Sequence, residues 1–381
     1  MVGFLWATIA LAILFAVPYA SYLLLLAVYR PTGVAAAKRP GEEPTVSVVL
    51  PTYNEASIIE GTLDRLISLE YPLEKLEIVL VDASDDETAE IARSFFANRR
   101  VPRFTVIEQE KRRGVAAAVN RAVPEASGEI IFRTDCDARV APGALRHAAA
   151  TLADPTVGGV TGRQTEIIGE SQVESDYRGL LARNQLLESH LDSIFIVHGP
   201  CFAFRSALFE PLERDSIADD TEIGIRIRAQ GYRVVMDPAM AFAETGVSAF
   251  AGRRSRKDRR ALGLVQVLVR FRHLVGRHGW YGRFILPMYW LFLVIGPWVL
   301  LAMLVAATGT AVSVAGGWGL MVPILVGVLI GLGQRDALGP IQPVYAVLDT
   351  QVSSLLAAVR LIRGVGDGTW EVDRESRRAF E

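Results

Sequence analysis

Cysteine is nearly missing from this 381-residue chain, which has two, Cys136 and Cys201, far apart. That excludes a disulfide framework and a cysteine-ligated zinc site. Net charge is also small: Lys+Arg 40 against Asp+Glu 42 gives −2. Without a global basic field, nucleic acid is not an expected partner. No Gly-x-Gly-x-x-Gly follows the first predicted strand, and no Gly-Lys-Ser/Thr loop occurs anywhere. A dinucleotide fold is therefore excluded by motif, and any phosphate must be held by a metal and basic side chains. There is no internal repeat and no low-complexity tract.

Charge is missing from whole stretches. Phe4 to Tyr29 carries none, and a run of about 25 such residues spans a bilayer as a helix. A cleaved signal peptide fits less well, because no positive region precedes the run and it is long for such a segment. Arg30, Lys38 and Arg39 follow, which puts that end in the cytoplasm and the N-terminus outside. Phe284 to Ala307 is also uncharged, and Leu320 to Leu332 continues after Gly316-Gly317-Trp318-Gly319. These read as two spans joined by a short external turn, flanked by a basic stretch before Arg283 and by Arg335. The expectation is a multi-pass cell-membrane protein with three spans and a cytoplasmic soluble segment. In 340–363, Val344, Leu348, Val352, Leu355, Leu356, Val359 and Ile362 make a helical stripe. Asp349, Gln351, Arg360 and Arg363 interrupt it, favouring a helix lying along the membrane over a further span. The expected divisions are a first span (1–29), a linker (30–44), a soluble domain (45–250), a basic interfacial helix region (251–283), two spans (284–335), and an interfacial helix with a cytoplasmic tail (336–381).

The soluble segment alternates strand-like and helix-like runs. Thr45 to Leu50 is β-branched and ends at Pro51; Leu76 to Val81 ends at Asp82; Phe104 to Ile107 follows; Ile130 to Phe132 runs into Arg133-Thr134-Asp135-Cys136-Asp137. Helical spacing fills Ile58 to Leu69, Thr88 to Phe96 and Val115 to Val123. This is an α/β pattern with a mostly parallel sheet covered on both faces. Ligands in such sheets bind beyond the carboxyl ends of strands. Three strand ends are polar there: Thr52-Tyr53-Asn54-Glu55, Asp82-Ala83-Ser84-Asp85 and Asp135-Cys136-Asp137. Alternation puts Asp135 and Asp137 on one side, with Cys136 turned inward as a small apolar filler. One or two carboxylates plus substrate phosphates is the usual magnesium arrangement. The bland alternative for an isolated acidic pair is a solvated turn.

The order of these blocks resembles a family. Val-Val-Leu-Pro-Thr-Tyr-Asn-Glu (48–55), Val-Asp-Ala-Ser-Asp-Asp-Glu-Thr (81–88), Arg-Arg-Gly-Val-Ala-Ala-Ala-Val-Asn (112–120) and Gly-Glu-Ile-Ile-Phe-Arg-Thr-Asp-Cys-Asp (128–137) are similar to successive blocks of the family 2 inverting glycosyltransferases. So are Val-Gly-Gly-Val-Thr-Gly (157–162), Gly-Pro-Cys-Phe-Ala-Phe-Arg (199–205) and the stretch from Ala218 to Val234. The resemblance covers roughly 45–245 and implies a GT-A nucleotide-sugar-binding fold, with a UDP- or GDP-sugar as donor. It implies that Pro51, Tyr53, Glu55 and Asp82 hold the nucleoside. Asp135 would contact ribose or metal, Asp137 would be the main ligand of Mg2+ or Mn2+, and Asp220 would be the catalytic base.

The chemistry fits these roles. A diphosphate leaving group develops charge that a divalent cation neutralises. A positioned carboxylate taking the acceptor's proton contributes about 10²–10⁴-fold. Asp219 also suits a helix N-cap before Thr221-Glu222-Ile223, a role that would fix its neighbour. The family often has Gly-Lys-Ala where this chain has Gly114-Val115-Ala116, so Arg113 (or Arg112) is the candidate for the missing basic contact. Processive members carry Gln-x-x-Arg-Trp. Here Arg256-Lys257-Asp258-Arg259-Arg260 matches only at Arg259, expected on the diphosphate. The rest of the cluster, Arg253, Arg254, Arg256, Lys257 and Arg260, suits anionic headgroups at about 1 kcal/mol per charge. The missing Trp points away from a processive polysaccharide synthase and towards single transfer onto a polyprenyl-phosphate or other lipid-linked acceptor. A non-catalytic nucleotide-sugar-binding scaffold is the rival from another class, and it would not need Asp220.

Overall fold

A computed structural model describes residues 2–97, 102–168, 172–245, 250–335 and 337–364. The tail Trp370 to Glu381 lies outside them. The chain opens on a helix, α1 (Val2–Val28), and then enters an α/β domain. In order this holds β1 (Val46–Thr52), α2 (Ile59–Ile67), β2 (Leu76–Asp82), α3 (Thr88–Ala97), β3 (Arg103–Glu108), α4 (Val115–Ala122), β4 (Ile130–Arg133), β5 (Ala138–Val140) and α5 (Ala144–Leu152). β6 (Val157–Ile168), α6 (Gln172–Leu191), β7 (Phe202–Arg205), α7 (Asp219–Ala229) and β8 (Arg233–Thr245) complete it.

One eight-stranded sheet runs in the order β3-β2-β1-β4-β7-β6-β8-β5. The predicted strands β1 to β4 form its parallel half. β1 and β2 are buried on both faces, as parallel strands covered by helices must be. Val48, Leu50, Ile78, Leu80, Ile130 and Phe132 face one core with α2, α3 and α5. Val49, Val79, Val81 and Ile131 face the other with α4 and α7. Cys136 is buried in the first core, the apolar filler its position predicts.

The sheet changes direction at β4, which pairs antiparallel with β7 and sets Arg133 opposite Phe202. Antiparallel pairing brings the start of β7 to the carboxyl end of β4. The 3-10 turn Gly199–Cys201 therefore stands beside the acids that follow β4.

After the sheet, α8 (Phe250–Arg270) leads to helical segments broken by π-turns: Tyr281–Ile285, α9 (Leu286–Tyr289), Trp290–Ile295 and α10 (Gly296–Ala315). A turn at Gly316–Leu320, where Gly316 has φ +59, precedes α11 (Met321–Gly333); α12 (Gln342–Arg363) closes the described chain. Among the described residues, Val2–Val28, Tyr281–Gly333 (53 residues) and Val344–Arg363 are the helical runs long and apolar enough to cross a membrane. α12 packs on α8: Asp349 takes Lys257 Nζ at 2.6 Å and also pairs with Arg254. Its Gln351 amide donates to the Phe292 carbonyl at 3.1 Å, within the second π-turn.

Candidate active site

The ends of β1 and β2 are bonded into one frame. Asn54 takes φ +56, a left-handed conformation that asparagine tolerates better than most residues. Its N–H donates to Ser84 Oγ at 2.7 Å, and its Oδ1 accepts from the Asp85 N–H at 2.9 Å. Asp82 is buried and accepts from Thr52 Oγ1 at 2.6 Å and Ser84 Oγ at 2.5 Å. Pro51 pairs in register with Val81, and Thr52 with Asp82. Glu55 is buried just beyond, its N–H on Thr88 Oγ1 at 2.9 Å. Tyr53 OH donates to Asp85 at 3.3 Å, and Arg112 Cζ stands 4.0 Å from the Tyr53 ring centre. Arg112, then, is the basic residue brought onto this frame. Arg113, the residue expected there, is exposed and has no described contact with it.

β4 ends in a charged knot. Arg133 is buried; its Nη1 donates to Asp135 Oδ2 at 3.0 Å, and Nη2 lies 3.5 Å from Asp219 Oδ2. Burial alone would make this guanidinium easier to deprotonate, but Asp135, Asp219 and Asp220 outweigh it and hold its pKa above the usual value. Burial raises the Asp135 carboxyl against the pull of Arg133, with Asp137 and Asp220 adding to the rise. Asp219 is raised too, again chiefly by burial and against Arg133.

Asp219 does not cap α7. The N-cap is Ala218, with no side-chain cap bond, and Asp219 is the first helical residue, turned towards Arg133. The aim of Asp220 comes from elsewhere. Its Oδ2 accepts the Gly199 N–H at 2.8 Å and its Oδ1 the Thr221 N–H at 2.6 Å. His198, just before, is largely shielded and bonded to Gln185 at 2.9 Å. Burial, then the nearby Arg260, pushes its pKa down to about 4, so it stays neutral at physiological pH.

α8 closes the site from the far side. Gly263 packs on Ala218, where a Cβ would stand 3.0 Å from the Ala218 Cβ. Arg270 bonds the buried Glu222 of α7 at 2.5 Å. One turn before Gly263, Arg259 is close enough to feel Asp135 and Asp219, yet burial and then Arg260 and Arg256 lower its pKa to about 10. Arg260 pairs with Glu244 at 3.4 Å. Of the cluster expected on headgroups, Arg254, Lys257 and Arg260 thus have carboxylate partners in the protein, and the Arg253 side chain lies outside the described residues.

Sequence reading missed three residues here. Arg133 carried a signal, a charge in the last position of an apolar strand. Gly199 opens one of the family-like blocks but was given no role, and Glu244 carried no signal; they arrive through the turn before β7 and through β8. Glu244 pairs across the sheet with Ala138, beside Asp137, and burial raises its carboxyl.

Among the described residues, no three His, Cys, Asp or Glu side chains group as a metal site. The Asp137 charge reaches the Asp135 carboxyl, so these two are the residues that would hold a cation whose remaining ligands came from a diphosphate.

Parallel strands ending in a bonded polar frame, facing an acid pair on a helix, are arranged as in a GT-A fold. Comparison with known proteins agrees. The Glycosyl transferase family 2 profile matches residues 47–212, and that of Glycosyl transferase family group 2 matches residues 130–332. The chain belongs to glycosyl transferase family 2 and is a glycosyltransferase with a GT-A fold. It is 27% identical over 215 residues to the Probable glycosyltransferase YdaM of Bacillus subtilis, covering 52% of this chain and 50% of that protein. It is 27% identical over 205 residues to the Poly-beta-1,6-N-acetyl-D-glucosamine synthase of Staphylococcus aureus, covering 51% and 48%. The chain thus spans about half the length of these curated relatives. Among solved structures, the mannosyltransferase PcManGT from Pyrobaculum calidifontis, in complex with GDP-Man and Mn2+, is similar over 93% of this chain and 98% of its own, at 30% identity and TM-score 0.77.

Proposed function

We propose that the protein is a membrane-anchored, metal-dependent inverting glycosyltransferase that moves a sugar from a nucleotide-sugar to a polyprenyl-phosphate or other lipid-linked acceptor. The observation that carries this reading is the Asp220 carboxylate, aimed by the Gly199 N–H, next to Asp219, which stands across Arg133 from Asp135. In this reading Pro51, Tyr53, Glu55 and Asp82 hold the nucleoside, and Asp135 meets the ribose or the metal. Asp137 is the main ligand of Mg2+ or Mn2+. The cation, when bound, neutralises charge on the leaving diphosphate. Arg259, with Arg112 or Arg113, supplies the basic contact to the phosphates. Asp220 takes the acceptor proton where one must leave.

GDP-mannose is the first donor to try, because similarity to PcManGT runs over nearly all of both chains. Of the apolar runs, α1 and the pair α10–α11 are read as spans that leave the α/β domain cytoplasmic. α12 is read as lying along the membrane with α8, since Asp349 is paired to two basic residues of α8. The test is a screen of radiolabelled GDP- and UDP-sugars with membranes holding the chain, products being separated by solubility. Label in a chloroform-soluble product supports lipid transfer. A water-insoluble polymer would favour a processive synthase, and no transfer from any donor would overturn the reading.

A further inference from the structure

Arg133 is 5% exposed, an uncommon place for a guanidinium, and it touches acids from two separate motifs. Asp135 belongs to the end of β4. Asp219 comes from α7, between β7 and β8. The guanidinium reaches both only because Gly199 has no side chain: a Cβ there would run into Arg133 Nη1 and Cζ and stand 3.0 Å from Asp220 Oδ2. The Gly199 N–H is the group that aims Asp220. Thr134 Oγ1, next to Arg133, donates to the Pro200 carbonyl at 2.8 Å and locks the same turn to β4. A planar fork fixes two carboxylates relative to one another, which a point-charge ammonium does not.

We propose that Arg133 is a positioning residue: its guanidinium, threaded past Gly199, sets the spacing between the donor half of the site at Asp135 and the acceptor half at Asp219 and Asp220. This rests on the reading of Asp135 as a donor contact and Asp220 as the base. A buried arginine that merely neutralises nearby acids would affect folding and would not separate the two halves.

The experiment uses the full chain in detergent. Binding of Mn2+ with GDP or UDP, whichever the unaltered chain holds, is measured by calorimetry. Transfer is measured from GDP-mannose, or the donor found by screening, to a polyprenyl phosphate. Arg133→Gln is expected to weaken nucleotide binding about tenfold and lower kcat about 100-fold. Arg133→Lys, reaching one acid at a time, restores binding to within about threefold but leaves kcat about tenfold down. Asp219→Asn cuts one arm only, lowering kcat about tenfold with binding within about threefold. Gly199→Ala lowers kcat about 30-fold in the unaltered chain but less than about threefold in an Arg133→Ala background, where the space is open. Losses that multiply for Gly199→Ala and Arg133→Ala, or normal binding and turnover in Arg133→Lys, overturn the proposal. If the unaltered chain transfers nothing, or Asp220→Asn transfers normally, the underlying reading of the base fails. The bridge is then judged by binding alone, and an unchanged dissociation constant in Arg133→Gln overturns it.

Discussion

The Gly199 N–H donates to Asp220 Oδ2 at 2.8 Å, so a backbone amide of one strand turn fixes a carboxylate on a helix 21 residues further on. A backbone donor has no rotamer to lose. Asp220→Asn keeps the shape but cannot take a proton. Turnover should fall by about 10²–10⁴-fold, with nucleotide binding unchanged by calorimetry. Turnover near normal would remove Asp220 from the role of base.

Asp137 follows β4 by four residues, in the turn before β5, and its charge reaches the Asp135 carboxyl. Asp137→Ala should abolish the part of nucleotide binding that depends on Mn2+, read as the difference between titrations with Mn2+ and with EDTA. If the metal dependence survives, the cation is held elsewhere.

Arg259 faces the acids from α8. Arg259→Ala should raise the donor KM about tenfold or more, the loss expected when a charged contact to phosphate is removed. Added salt should narrow the gap between variant and unaltered chain. A donor KM within about twofold of normal would put Arg259 outside the phosphate site.

Glu188 of α6 is fully buried, accepting from Tyr22 OH at 2.7 Å and from the Phe195 N–H at 3.1 Å. Burial lifts its pKa from the ordinary 4.5 to about 7. The folded chain therefore binds the proton more tightly than the unfolded one. Stability from this group is full below pH 4.5 and is lost as pH rises through 7. Thermal midpoints should fall between acidic and mildly alkaline buffer, and Glu188→Gln should flatten that slope. Parallel curves for the two chains would contradict it.

The three-span reading places the N-terminus outside. A single cysteine introduced at Val2, in a chain with Cys136 and Cys201 buried, should react with a membrane-impermeant maleimide on intact cells. Labelling only after lysis would reverse the orientation of α1.

The parallel half of the sheet was legible because its strands are buried on both faces. Val46 to Leu50 and Leu76 to Val81 are apolar but for Ser47 and Glu77, which are buried and bonded to each other, and the polar ends of the runs stand out. The half beyond β4, where β7 runs antiparallel to its neighbours while β6 and β8 pair parallel, was not legible. β5 has three residues, and β6 opens on Gly158, Gly159 and Gly162, which weaken a strand by propensity. Here those glycines are required by packing: a Cβ at Gly158 would meet Ile227, Leu208 and Tyr232. Asp220 was found by resemblance, but what aims it belongs to β7 and could not be seen from the acid motif. Asp219 was misread as a cap because propensity favours aspartate there, while its tertiary partner, Arg133, lies 86 residues earlier.

Glu222 lies fully inside the protein, bonded to Ser216, to Arg226 on its own helix and to Arg270 on α8. Losing one partner of such a buried set costs about 3–5 kcal/mol, so the first turn of α7, which carries Asp219 and Asp220, is tied to the helix that carries Arg259.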